Sequence, residues 1–205
     1  MNNIRTLMLS TIALALAGGC AMSETAAAPT DGHDDDHDRS AIVLDGGEGA
    51  RVEFPLHATW RLADAASNEA GMSFFEIGIA AGAAGAPPHR HTAEDEFFYV
   101  RKGAVTFMAD GARRTIGEGG FVLLPRNGWH ALWNTGEEDA ILLVGTSKGN
   151  FDDFFDAVAM QVQAENASTP DAVGAIVGRL GAERGIIIDM SLVPSDVAAL
   201  YGLPQ

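Results

Sequence analysis

Cysteine is almost missing from this 205-residue chain, since Cys20 stands alone. An intrachain disulfide is therefore excluded, and no thiolate is available for a metal site. Basic residues are scarce as well. Thirteen Lys and Arg stand against 28 Asp and Glu, a net charge of −15. That balance argues against a nucleic-acid partner, because binding phosphates needs a basic face. Long hydrophobic runs are also lacking. Leu7 to Ala17, with Ser10 and Thr11 inside it, falls short of the roughly 20 residues that span a bilayer. No later run is long enough either.

The chain does have abundant glycine, 24 residues, with Phe, Val, Ile and Leu spread in short runs. This suits many short strands joined by tight turns. Length allows one domain with a real core plus tails. Residues 1–19 read as a signal peptide: Arg5 is the positive n-region, Leu7–Ala17 the apolar part, and Ala17-Gly18-Gly19 the small residues before Cys20. Residues 20–40 read as an acidic flexible tether. Asp31-Gly32-His33-Asp34-Asp35-Asp36-His37-Asp38 cannot bury enough to fold. As a coil, the stretch Ala21–Ser40 spans on the order of 25 Å. It is a solvated linker, or else His33 and His37 scavenge metal loosely. Residues 41–150 form the strand-rich body, and residues 151–205 a helical extension.

The body is organised around Pro87-Pro88-His89-Arg90-His91-Thr92-Ala93-Glu94-Asp95-Glu96. On an extended strand His89 and His91 leave the same face. Glu96 lies five residues beyond His91, an odd separation that one straight strand cannot keep on that face. A polar turn at Thr92–Asp95 answers this, with Glu96 opening a second strand that runs back beside the first. Two imidazoles and a carboxylate then converge as a ligand set for a divalent metal. A further donor, His130, follows the turn signal Pro125-Arg126-Asn127-Gly128 and opens another apolar strand.

These stretches resemble the two motifs of the cupin superfamily. His89, His91, Glu96 and Gly103 fit the first motif. Gly119, Pro125, His130 and Asn134 fit the second, with Asn127 at a position usually held by Gly. Asn tolerates positive φ, so the turn is expected to survive. Ala83 stands where the first motif usually begins with Gly. The resemblance implies a mainly β fold, a cupin-type antiparallel β-barrel (double-stranded β-helix or jelly roll), with the C-terminal helices packed outside. It implies one divalent transition metal, Fe, Mn, Ni, Cu, Co or Zn, held by His89, His91, Glu96 and His130. In flavonol-cleaving relatives the Glu both ligates and takes a proton, which implies the same catalytic role for Glu96. Dimerisation is common in the family, so a homodimer stays open; no interface is visible in the sequence.

Alternation puts Phe98 and Val100 on the face of Glu96, lining a pocket, with Phe107 and Leu132 as further wall residues. Glu94 and Asp95, in the turn, are expected to be solvated. Further strands are expected at Val52–Phe54, Ala58–Leu62, Met72–Ile79, Glu96–Arg101, Ala104–Ala109, Arg113–Ile116, Phe121–Leu124, His130–Asn134 and Ala140–Gly145. Ala80–Ala86 is expected as a loop, and Asp110-Gly111 as a hairpin turn. Phe151, Phe154, Phe155 and Val158 make one helical face. Thr169-Pro170-Asp171 starts a second helix, and Ser195 is expected to cap a last short one to Tyr201. A Phe-rich segment after the barrel and then a Pro-started helix resemble the small cupins labelled quercetin-dioxygenase-like.

Three functional readings follow. One is a metal-dependent dioxygenase acting on a small phenolic or enolic compound. Another is a cupin isomerase or lyase using the metal as a Lewis acid. The third is a non-catalytic envelope protein that binds a metal or small ligand. The complete ligand set favours an enzyme. The absence of a basic cluster at the motifs counts against phosphorylated sugars. At the start of the chain, the small-small-Cys ending resembles the lipobox of bacterial lipoproteins, with Ala17 where Leu is usual. It implies that Cys20 is lipidated and becomes the new N-terminus; cleavage near Gly18–Ala21 by an ordinary signal peptidase is the other reading. Either places the domain in the periplasm or cell envelope. With lipidation it is anchored to the outer membrane, and that anchor is its only membrane contact.

Overall fold

The computed structural model describes residues 40–147, 149 and 151–204. The signal peptide, Cys20, and the tether histidines His33 and His37 lie outside the described residues. Eleven strands come first: β1 (Ala50–Val52), β2 (Ala58–Ala63), β3 (Ser73–Ile79), β4 (Ala83–Ala84), β5 (His89–His91), β6 (Glu96–Lys102), β7 (Ala104–Ala109), β8 (Ala112–Gly117), β9 (Phe121–Leu124), β10 (His130–Asn134) and β11 (Ala140–Thr146). Two helices follow, α1 (Phe151–Glu165) and α2 (Pro170–Glu183), then β12 (Ile186–Ile188) and a closing 3-10 helix (Ser195–Tyr201).

Period-two alternation builds the core. In β3, Ser73, Phe75, Ile77 and Ile79 are buried; in β6, Glu96, Phe98 and Val100 are. The ladders are antiparallel and form two sheets. One has the order β1-β2-β3-β11-β6-β9, the other β12-β5-β10-β7-β8, with β4 also on β10. Their inner faces meet, as the Phe98 and Phe107 rings do at 5.2 Å. This is the jelly-roll arrangement expected. The sheets do not close into one hydrogen-bonded barrel, because the ladders end at β1 and β9 in one sheet and at β12 and β8 in the other.

Several local expectations need correction. β5 and β6 do not pair. β5 lies between β12 and β10 and β6 between β11 and β9, so the turn over 92–95 carries the chain from one sheet to the other. The first strand ends at Val52, not Phe54. Pro55 has no N–H to offer a ladder, and Phe54 turns inward against Phe155, ring centroids 4.8 Å apart. The loop over 80–86 contains β4, registered on Trp133 and Asn134. Ser195 is the first residue of its 3-10 helix, and no side chain caps it. The Asp110-Gly111 hairpin is present with both residues at positive φ, 48° and 79°, as a two-residue turn with matching twist requires.

The helices lie outside the sheets. On α1, Phe151, Phe154, Phe155 and Val158 are buried together. Polar contacts fix its first turns: Ser73 Oγ donates to Asp152 Oδ1 (3.0 Å), and Arg61 pairs with Asp156 (2.8 Å). Thr169 caps α2 by accepting from the Ala172 N–H at 3.2 Å, with Pro170 in the first turn. No helix among the described residues is long and apolar enough to cross a membrane.

Candidate metal centre

Antiparallel register sets His130 of β10 directly opposite His89 of β5. His91 lies two residues on, with its side chain on the same inner face. Glu96 arrives from the other sheet, registered on Leu124 and Thr146. The four side chains are buried, and their ligand atoms lie within 4.8 Å of one another. Glu96 thus faces the histidines across the sandwich. The odd spacing that suggested a hairpin is resolved by a change of sheet.

Each imidazole is oriented from behind. His89 Nδ1–H donates to the Pro87 carbonyl (2.8 Å), and His130 Nδ1–H to the Gly128 carbonyl (3.0 Å). A carbonyl only accepts, so the proton of each neutral ring sits on Nδ1. His91 Nδ1–H donates to Glu94 Oε2 at 3.2 Å. Every Nε2 is therefore turned inward. His130 Nε2 lies 3.0 Å from Glu96 Oε2 and 3.1 Å from His89 Nε2. His91 Nε2 lies 3.5 Å from Glu96 Oε2, and His89 Nε2 lies 3.8 Å from it.

This pattern tests whether a metal fits. Neutral rings held by Nδ1 present lone pairs to one another and to a carboxylate. Such an arrangement is repulsive unless a cation lies between them. His91 Nε2 is buried without a hydrogen-bond partner, a costly state that a ligand bond would relieve. Three imidazole nitrogens and a carboxylate oxygen suit a first-row divalent ion, and do not select among them. The cluster therefore fits one divalent metal ion.

In the absence of metal a proton can take the cation's place. At His91 burial pushes the pKa down, but Glu96 and Glu94 outweigh it and raise it to about 9. At His89 burial, then the neighbouring His130 and His91, lower the pKa to about 3. Burial would push Glu96 up; His91 and His130 overcome this and hold it well below the usual carboxylate range. Without metal, a proton on His91 balances the Glu96 carboxylate.

The turn acids separate. Asp95 is half-buried and grips Arg126: Oδ1 accepts from the backbone N–H (2.9 Å) and Nε (3.1 Å), and Oδ2 from Nη2 (2.9 Å). This lowers its pKa to about 2, the hydrogen bonds from Arg126 dominating. The grip ties the turn before Glu96 to the loop before His130. In that loop Asn127 has φ 66° and donates its N–H to the His91 carbonyl at 2.7 Å. Glu94 is 1% exposed, against the expectation that it is solvated. The crossing between sheets turns it inward, beneath His91. Gly149 packs on it, and a Cβ there would collide with its carboxylate. The signal available in the sequence was a carboxylate three residues after a ligand histidine.

A cavity opens beside the cluster, with about 710 Å³ of empty space counting its open mouth. His89 and Glu96 are in its wall, as are Phe98 and Leu132. Val100 and Phe107 are not. Both are buried in the core, Phe107 against the Phe98 ring. Sequence reasoning did not place Phe151, Phe154 and Phe155 of α1, nor His57, in this wall. The helical Phe periodicity was visible, but not the surface it would cover. Trp133 packs on the outer side, under the Arg113 guanidinium at 5.4 Å, and Trp129 under Arg90 at 5.3 Å.

Among curated proteins, none matches the chain. Among solved structures it is similar to KdgF from Halomonas sp., at 21% identity and TM-score 0.43, over 48% of this chain and 84% of that one. It is similar to a sugar phosphate isomerase from Silicibacter pomeroyi, at 23% identity and TM-score 0.41, over 46% and 61% of the two chains. It is also similar to the DMSP lyase DddQ from Ruegeria pomeroyi, at 21% identity and TM-score 0.39, over 47% and 48%. Residues 75–145, which include all four clustered side chains, match the family model described as a cupin domain.

Proposed function

We propose that the protein is a metal-dependent dioxygenase acting on a small phenolic or enolic compound. One observation carries the reading: two members of the three-His, one-Glu donor set, His89 and Glu96, lie in the wall of a cavity whose other side chains are almost all apolar and rich in Phe. Bound there, a redox-active divalent ion would supply Lewis acidity and electron transfer between an enolate or catecholate and dioxygen. His89, His91 and His130 would hold it. Glu96 would ligate it and accept the proton of the substrate hydroxyl. Phe54, Phe98, Phe151 and Phe155 favour a flat ring and exclude water. No Lys or Arg is among the described wall residues, which speaks against a phosphorylated substrate. The Phe-rich α1 and Pro-started α2 support a place among the quercetin-dioxygenase-like cupins.

The test is metal analysis of a chain starting at Ser40, with His130→Ala as its control, followed by oxygen uptake on a panel of phenols and enols. About one Fe, Mn, Ni or Cu per chain, lost in the variant, with uptake on a panel member, supports the reading. One Zn and no uptake moves the weight to Lewis-acid isomerase or lyase chemistry, or to binding alone. No metal in either protein after reconstitution sinks it.

We further propose that the domain is exported and anchored through Cys20. The support is the n-region, the short apolar run and the small residues before that cysteine. Failure of labelled fatty acid to enter the full chain at Cys20 would overturn the anchor.

A further inference from the structure

His57 shares the cavity wall with His89 and Glu96 but is not a member of the metal cluster. It stands just before β2. Its ring lies 6.3 Å from that of Phe54, and its own carbonyl accepts from Thr59 Oγ1 at 3.0 Å. Gly85, in the segment between β4 and β5, lies beside it in the same wall. Apart from the two metal ligands, His57 is the one polar side chain among the described wall residues.

Burial lowers the pKa of His57, which keeps the ring neutral at neutral pH. A neutral imidazole that donates through one nitrogen has only a lone pair at the other. An acceptor set in an apolar wall costs free energy unless something donates to it. Its complement is therefore a hydroxyl or N–H on whatever fills the cavity.

We propose that His57 is a specificity-determining residue whose second ring nitrogen accepts a hydrogen bond from a substrate hydroxyl separate from the oxygens directed at the four donors. The inference rests on the phenolic reading above and narrows it. The preferred substrate is an aromatic or enolic ring with a metal-directed oxygen pair and one further hydroxyl. A site that hydrogen-bonds a hydroxyl discriminates against the analogue lacking it, because its partner in the apolar wall is then left unpaired.

The test uses the protein loaded with zinc, which is redox-inert, under argon, so that ligands bind without turnover. Calorimetry compares hydroxytyrosol, a catechol with a hydroxyl on a two-carbon arm, with 4-ethylcatechol, which lacks that hydroxyl. The wild type is expected to prefer hydroxytyrosol by about tenfold, the worth of one net hydrogen bond. His57→Phe keeps a flat ring and is expected to abolish the preference by weakening hydroxytyrosol alone. His57→Gln restores an acceptor and is expected to recover part of it. Zinc content stays at the wild-type value in both variants. Equal binding of the two catechols by the wild type, or a preference that survives in His57→Phe, overturns the inference and leaves the phenolic reading standing. Binding of neither catechol by the zinc-loaded wild type overturns the phenolic reading and this inference with it. The wild-type comparison decides even if the Phe variant does not fold.

Discussion

His91 donates through Nδ1 to Glu94 Oε2 at 3.2 Å, from a carboxylate that is itself buried under the side-chain-free Gly149. A ligand imidazole backed by a carboxylate is fixed in orientation and made more basic, and losing such a partner typically costs 10–100-fold in metal affinity. Glu94→Gln keeps the shape and removes the charge, so metal affinity is expected to fall roughly tenfold. Gly149→Ala is expected to do the same by displacing the carboxylate. Competition with a chelator measures both. Wild-type affinity in Glu94→Gln would show that the carboxylate only fills space.

Metal binding should be coupled to pH in a defined direction. The metal-free His91 pKa is raised to about 9, so this ring is protonated at pH 7 and the metal must displace a proton. Apparent affinity should rise about tenfold per pH unit from 7 toward 9 and then level off. About one proton per metal should appear in solution at pH 7. Calorimetry in two buffers of different ionisation enthalpy counts it, and a count near zero would mean that His91 is already neutral.

Phe155 shows how the helices and the cavity depend on each other. Its ring meets Phe54 at 4.8 Å, Phe75 at 4.8 Å and Phe151 at 4.9 Å. Phe155→Ala removes a buried ring at the seam between α1 and the sheets. The expected cost is about 3 kcal/mol, at the low end for buried aromatics because the cavity beside it already has room. The urea midpoint should drop while metal stoichiometry stays unchanged. Loss of metal as well would show that α1 shapes the donor set.

What the sequence made legible follows from how local each signal is. His-x-His on a strand, the Asp110-Gly111 turn and Thr169-Pro170 at a helix start each depend on a few adjacent residues, and the structure has all three. The four clustered donors were readable because each motif carries its own spacing. What failed depends on long-range pairing. The Thr92–Asp95 turn reads the same whether Glu96 folds back on β5 or crosses to the other sheet. Only the partners β11 and β9, distant in sequence, distinguish the two. Glu94 looked solvated because a polar turn normally is, and its burial comes from His91 and Gly149 together. Phe98 against Val100 shows the same limit. Alternation puts both inside the sandwich, but the position of the cavity along β6 decides which one it touches. β12 was missed although Ile186-Ile187-Ile188 is a run of β-branched residues, because three residues form a strand only if an edge such as β5 is waiting.

Tyr201 offers a test of the C-terminal segment at alkaline pH. Its hydroxyl reaches the carbonyls of Leu132 (2.9 Å) and Ala86 (3.2 Å), joining the last 3-10 helix to β10 and to the segment before β5. One proton serves two acceptors, so a phenolate there would lose the bond and face two carbonyl oxygens. Burial accordingly raises the Tyr201 pKa well above its ordinary value. The group is neutral in the fold and ionises more readily when unfolded, so its contribution is complete below about pH 10 and is lost as pH rises further. Tyr201→Phe should cost about 1 kcal/mol at pH 8 through the lost hydrogen bond. The variant should also show a flatter decline in stability above pH 10. Equal alkaline slopes for the two proteins would mean that the C-terminal segment lifts away before Tyr201 ionises, leaving the sheet to unfold without it.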